Sequence, residues 1–207
     1  MLRMRECLAA ACCALLGAAA AAEEACNLDL HNAYGPFDYR TADPSQKVLV
    51  ESHHFTPKVE SLLEGESGAL GADIDYTLRV FPNHARALMA MSKLARREGR
   101  TAPAGSHYAM ECWFQRALEF KPEDSQVHLV YGIDLLKDHR LKDAIAQLQA
   151  AEALNADDAN VQYNLGLAYF DQGDFDQSLA HAHRAYALGF PLPGLRDKLK
   201  RAGKWQP

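Results

Sequence analysis

Residues 125–158 and 159–192 of this chain align with each other without a gap. Val127 pairs with Val161, Gly132 with Gly166, Leu135 with Tyr169, Leu141 with Phe175, Ile145 with Leu179, Ala151 with Ala185, and Leu154 with Leu188, every pair 34 positions apart. Self-similarity at such a period marks a stack of supersecondary units, each burying its apolar face against its neighbour.

Each unit reads as two helices. In the second of these units Val161, Leu165, Ala168 and Tyr169 recur at helical spacing, Asp171-Gln172-Gly173-Asp174 interrupts the run, and Leu179, Ala182 and Ala185 mark one face of a second helix from about Phe175 to Leu188. Pro191 and Pro193 stop it. The corresponding helices of the unit before run near Gln126–Lys137 and Leu141–Leu154. The expected class is therefore all-α.

The run Tyr163-Asn164-Leu165-Gly166-Leu167-Ala168-Tyr169-Phe170, followed by Gln172-Gly173-Asp174-Phe175 and then by Ala185 and Leu188, resembles the tetratricopeptide repeat (TPR). The resemblance implies a short right-handed solenoid of helical hairpins. Small residues sit where the helices of a hairpin cross, and Gly132, Gly166, Ala144, Ser178, Ala151 and Ala185 fit those places. The chain departs from the family at His128 and Gln162, where a bulky residue is usual, at His139, where Gly is usual, and at Ala156 and Phe190, where Pro is frequent. The resemblance further implies that the first helix of each hairpin lines a concave groove. That assigns Met89, Lys93, Arg96 and Arg97, then Leu129, Ile133 and Leu136, then Tyr163, Leu167 and Phe170 to a partner-binding surface, basic at one end and apolar and aromatic at the other.

Three such units are expected, at 85–124, 125–158 and 159–192. The first is stretched: six extra residues fall between its helices, around Arg100–Ser106, and are expected to project from the edge of the stack. Residues 56–84 read as a degenerate leading helix pair, with Thr56-Pro57 opening one helix and Gly68–Val80 forming another. The arm at 23–55 carries the turn signals Tyr34-Gly35-Pro36-Phe37 and Asp43-Pro44 and is expected to be irregular. Residues 193–207 form a capping helix with a basic tail containing Arg196, Lys198, Lys200, Arg201 and Lys204.

The first 22 residues have the layout of a secretory leader: Arg3 and Arg5, an uncharged run from Leu8 to Ala22, and small residues at Ala20 and Ala22 before Glu23-Glu24. The run is short for a membrane span, so the mature chain is expected without an integral membrane segment, in the periplasm of a bacterium. Loss of the leader would leave Cys26 and Cys112, which an oxidising compartment could join; a buried free thiol at Cys112 is the alternative. The net charge of −5 gives no electrostatic footprint for nucleic acid.

Nine histidines invite a metal hypothesis, yet His53-His54 are adjacent and His181 and His183 are two apart, neither of which presents two ligands on one helix face. No G-x-S-x-G elbow, phosphate-binding glycine loop or cysteine signature is present. The sequence thus predicts no catalytic residues, no metal ligands and no cofactor. The expected function is an exported scaffold or adaptor for a protein or peptide partner. The alternative is an accessory protein holding a small ligand or metal through the His-containing N-terminal region.

Overall fold

The computed structural model describes residues 26–206; the leader expected at 1–22 lies outside them. Ten helices and no strand occur among the described residues: α1 Pro44–His54, α2 Pro57–Glu60, α3 Leu70–Val80, α4 Ala85–Glu98, α5 Met110–Phe120, α6 Ser125–Lys137, α7 Leu141–Leu154, α8 Ala159–Gln172, α9 Phe175–Ala187 and α10 Gly194–Arg201. They stack as successive antiparallel hairpins, the architecture of a TPR-like solenoid.

Local chemistry fixes the helix ends. Asp124 and Asp158, 34 positions apart, cap α6 and α8 by accepting the backbone N–H of Gln126 and Asn160. Asp174 does the same for α9. The closing residues of α4 and α8 are Gly99 and Gly173, with φ of 63° and 86°, in the left-handed region open to glycine. His139 follows α6 at the equivalent place with φ of 58°, so the middle hairpin places a non-glycine residue where the backbone disfavours one.

The hairpins α6–α7 and α8–α9 close on glycine. A Cβ on Gly132 would lie 2.6 Å from Leu148 Cγ, and one on Gly166 would lie 3.3 Å from the Ser178 carbonyl oxygen and 2.4 Å from Leu195 Cδ2. The bulky position missing at Gln162 is filled by hydrogen bonding. Gln162 is fully buried, donates to Glu152 and to the Ala156 carbonyl, and meets Nδ1 of His181 at 2.7 Å through its own oxygen. His128 bridges Gln147 and the Pro122 carbonyl in the same way.

One core runs from Phe55 and Val59 through Ile74, Leu78, Leu88, Met91, Trp113 and Phe114 to Leu135; a second lies between α6, α7 and α8. Burying each of these large side chains contributes about 1.5–3 kcal/mol, so most of the stability lies in the seams within and between the hairpins. At the far end α10 places Leu195 and Leu199, both fully buried, against Ala182 and the aromatic residues of α8.

Two expectations are corrected. The arm is irregular only as far as Thr41-Ala42. Residues Pro44–His54 form α1, started by a reciprocal capping box in which Asp43 accepts from the backbone of Ser45 and Gln46, and Gln46 accepts from the Asp43 N–H. The signal Asp43-Pro44, read as a turn, is a helix start with proline in the first turn. The insertion after α4 does not project. It folds back on α3: a Cβ on Gly71 would sit 2.3 Å from the Ala104 carbonyl oxygen, the His107 N–H donates to Asp75, and the Trp113 indole donates to Ser106.

Candidate functional site

The arm binds the stack away from the residues expected in the groove. The Phe37 N–H donates to the Val80 carbonyl at 2.8 Å, and the Tyr39 N–H to Asn83 Oδ1 at 2.9 Å. Asn83 Nδ2 in turn donates to Asp38 and Asp124. Nearer its start, the arm's Asn27 and Asp29 carbonyls accept from the buried Arg116 guanidinium, which lies over the rings of Tyr108 and Trp113. Burial holds the Arg116 guanidinium below its ordinary pKa, against the smaller upward pull of Tyr108 and Asp29. Cys26 and Cys112 meet in the same place, Cα atoms 5.2 Å apart and sulfurs at bonding distance.

The ten groove positions separate into three groups. On α4, Met89 is half-buried and Lys93 exposed; Arg97 donates to the Leu62 carbonyl at 2.6 Å, and Arg96 is tied to α6 through the Asp134 and Asp138 carboxylates and the Asp134 carbonyl. On α6, Ile133 and Leu136 are half-buried, but Leu129 is only 5% exposed and packs inside the seam with Leu148, Val161 and Leu165. The packing of α6 against α7 and α8 turns that position inward. On α8, Tyr163 stacks on Phe190 with ring centroids 3.9 Å apart, Phe170 lies edge-on to Phe175 and beneath Lys198 Nζ, and Leu167 joins them against α10. The aromatic end of the expected groove is thus half-covered by the chain's own C-terminal segment. The surface left open is the middle: Lys93 and Arg97 of α4 and Lys137 of α6 beside Met89, Ile133 and Leu136. Lys93 and Lys137 have no bonded side-chain partner among the described residues.

A cleft of about 400 Å³ opens at the loop edge of the first hairpin, a site the sequence reading missed. Its walls are Ser92 and Arg96 of α4, Arg100 and Thr101 of the insertion, Met110 and Glu111 of α5, and Asp134 and Asp138 of α6, with Arg140 beyond. The insertion explains it. With eleven residues between α4 and α5 and Ser92 in place of the crossing glycine, the hairpin is splayed, and Ser92 Oγ donates to Asp134 of the next unit instead. Asp134 is buried, and burial lifts its carboxyl above the ordinary range although Ser92 and Arg96 pull it down. Arg140 joins Glu111 at 2.8 Å and Asp143 at 2.9 Å. The unusual length of the 99–109 connection was the available signal; which carboxylate would meet it was not readable.

The histidines of the N-terminal region go to separate partners. His53 bonds within its own helix to Ser52 and the Leu49 carbonyl, His54 meets Asp73 at 3.0 Å, and His84 meets Glu51 at 3.1 Å. Among the described residues no three His, Cys, Asp or Glu side chains gather as a metal site, and no helix is long and apolar enough to cross a membrane.

Comparison with known proteins bears on the fold. Residues 138–173 match the family described as TPR repeat. The crystal structure of MamA superposes with a TM-score of 0.50 at 16% identity, covering 79% of this chain and 86% of that one. A second MamA crystal structure gives 0.51 at 18% identity, with 78% and 91% covered. PilF of Pseudomonas aeruginosa gives 0.53 at 18% identity, with 75% and 67% covered. No curated protein matches in sequence. The 34-residue period, the two glycine-closed hairpins and these likenesses agree on the fold: the chain carries a tetratricopeptide repeat at residues 138–173 within a TPR-like helical solenoid.

Proposed function

We propose that this protein is an exported, non-enzymatic scaffold that holds a protein partner across the exposed middle of its stack, on α4 and α6. One observation carries the reading: on the neighbouring helices α4 and α6, Lys93, Arg97 and Lys137 are exposed and Met89, Ile133 and Leu136 half-buried, while the flanking surfaces are occupied by the α2 segment on one side and by α10 with Phe190 on the other. A partner segment with carboxylates beside an apolar anchor complements this patch in charge and polarity. The general expectation that a TPR stack binds protein supports the same conclusion.

Export is supported by the leader-like start of the sequence and by the meeting of Cys26 and Cys112, a pairing favoured in an oxidising compartment such as the periplasm. The reading of a metal- or ligand-holding N-terminal region has no observation in its favour.

The test is site-specific crosslinking in the producing cells, with a photoreactive residue in place of Lys93 or, as a control, of Gln115 on the exposed side of α5. A defined adduct from position 93 and none from 115, recovered with the periplasmic fraction and lost when Arg97→Glu/Lys137→Glu is added with unchanged thermal stability, is the expected result. Equal labelling from both positions, or an adduct indifferent to the charge reversal, would remove the proposed face; an adduct in the cytoplasmic fraction would remove export.

A further inference from the structure

His84 sits fully buried at the joint between α3 and α4, and both of its ring nitrogens are engaged. Nδ1 accepts the Ala87 N–H at 3.1 Å, capping α4, so this nitrogen carries no proton. Nε2 therefore carries it and faces Glu51 Oε1 of α1 at 3.1 Å. Tyr39 of the arm donates to the same Glu51 oxygen at 2.7 Å and lies over the imidazole with ring centroids 3.9 Å apart, while Phe55, just past α1, meets the ring edge-on at 4.8 Å. The arm, α1 and the start of α4 all meet on this one ring.

We propose that His84 is an acid-sensitive latch, holding the arm and α1 against α4 near neutral pH and releasing them when the ring gains a second proton.

That proton has one place to go. It must enter on Nδ1, where it points at the Ala87 N–H, so two donors face each other and the cap is lost. The ring would also become a buried cation, which burial disfavours. The charged groups around it do not reverse this. Glu51 on α1 favours the cation. Arg86 on α4 opposes it, lying 3.8 Å from Glu51 while paired with Glu60 at the end of α2. Beyond Asn83, Asp38 of the arm and Asp124 before α6 are already matched by Arg40 and Lys121. Burial, the largest influence, sets the ring below the ordinary histidine value despite the pull of Glu51.

A group whose folded value is depressed lends stability that is complete above its unfolded value and disappears as pH falls through the folded one. The window therefore lies below the ordinary histidine range. Glu51 stays charged across it, since His84 and Tyr39 hold its carboxyl down at about 2 against the opposing effect of burial. Release in this window is thus the work of the ring and not of the carboxylate.

The test is hydrogen exchange on the full chain, corrected for intrinsic rates, from about pH 7.5 to about pH 5. Protection of α1 and of the Ala87 and Leu88 amides is expected to fall about tenfold per pH unit between the unfolded and folded histidine values, while α6 and α7 hold theirs. His84→Asn keeps a capping side chain that does not titrate, and the pH step should vanish. Should that variant fail to fold, the His84 ring in the natural chain is followed by NMR; titration below the ordinary histidine value, in step with α1 opening, is the supporting result. Protection that persists to about pH 5, a step that survives in His84→Asn, or a ring that titrates at or above the ordinary value with α1 still protected overturns the latch.

Discussion

Gly132→Leu probes the seam on which the stack depends. The first added carbon would already lie 2.6 Å from Leu148 Cγ, 2.8 Å from its Cδ2 and 3.3 Å from the Ala144 carbonyl oxygen. Leu148 has no free space to turn into, being fully buried among Ile145, Val161 and Leu165. The relief available is separation of α6 from α7, which also loosens the contact of α7 with α8. Overpacking of this kind costs about 1–3 kcal/mol, and two seams are affected, so the upper end applies. Replacing glycine inside a helix returns somewhat under about 1 kcal/mol. The net loss is about 2 kcal/mol, or roughly 4–8 °C in Tm for a chain of this length. Gly166→Leu should cost less, because its nearest obstacle is a methyl group of Leu195 on the terminal helix α10, which can lift away. Urea unfolding followed at the two tryptophans separates the cases: Trp113 reports the first unit and Trp205 the packing of α10. Gly166→Leu should loosen the Trp205 signal first, whereas Gly132→Leu should lower the whole transition. A Gly132→Leu chain within about 0.5 kcal/mol of the parent, or one more stable than Gly166→Leu, would refute the reasoning.

His139→Gly is expected to raise stability by about 1 kcal/mol, because it relieves a left-handed backbone at φ of 58° on an exposed residue; an unchanged or lowered urea midpoint would count against it. Deleting Arg100–Ser106 should destabilise the first unit, since it removes the Ser106 partner of the Trp113 indole and draws His107 away from the buried Asp75, each such loss costing about 1–3 kcal/mol. A deletion chain with the parent's Tm and an unshifted Trp113 emission would show that the insertion is dispensable.

The parts of the fold legible in the sequence were those with a strict period. Gly132 and Gly166, Asp124 and Asp158, and the apolar positions of α6 to α9 recur at a fixed offset because each hairpin solves the same packing problem. What escaped reading lies where the problem is solved once. Asp43-Pro44 serves turns and helix starts equally, and only the Gln46 side chain returning to the Asp43 N–H decides between them. Six residues added between the helices of a repeat are expected to project, yet Gly71 on α3 and Gly105 let two backbones approach closely. The groove positions were assigned by their place in the repeat, which indicates which side of a helix they occupy but not what covers it. Leu195 and Lys198 come from outside the period and Phe190 stands where the repeat usually has Pro, so the half-covered state of Tyr163, Leu167 and Phe170 could not be seen from the repeat alone. The cleft around Asp134 has the same origin: it arises from a departure in one unit meeting a regular feature of the next.

Placement of α10 also settles how such a chain can lengthen. The helix occupies the position that the first helix of a further hairpin would take against α8 and α9, turning Leu195 and Leu199 inward and leaving Lys200 and Arg201 in water. A hairpin appended beyond α10 would have to dislodge that helix, whereas a 34-residue copy inserted anywhere before Gly194 carries the same cap onto the new last unit. Growth by tandem duplication is therefore compatible with the cap wherever the copy falls within the array.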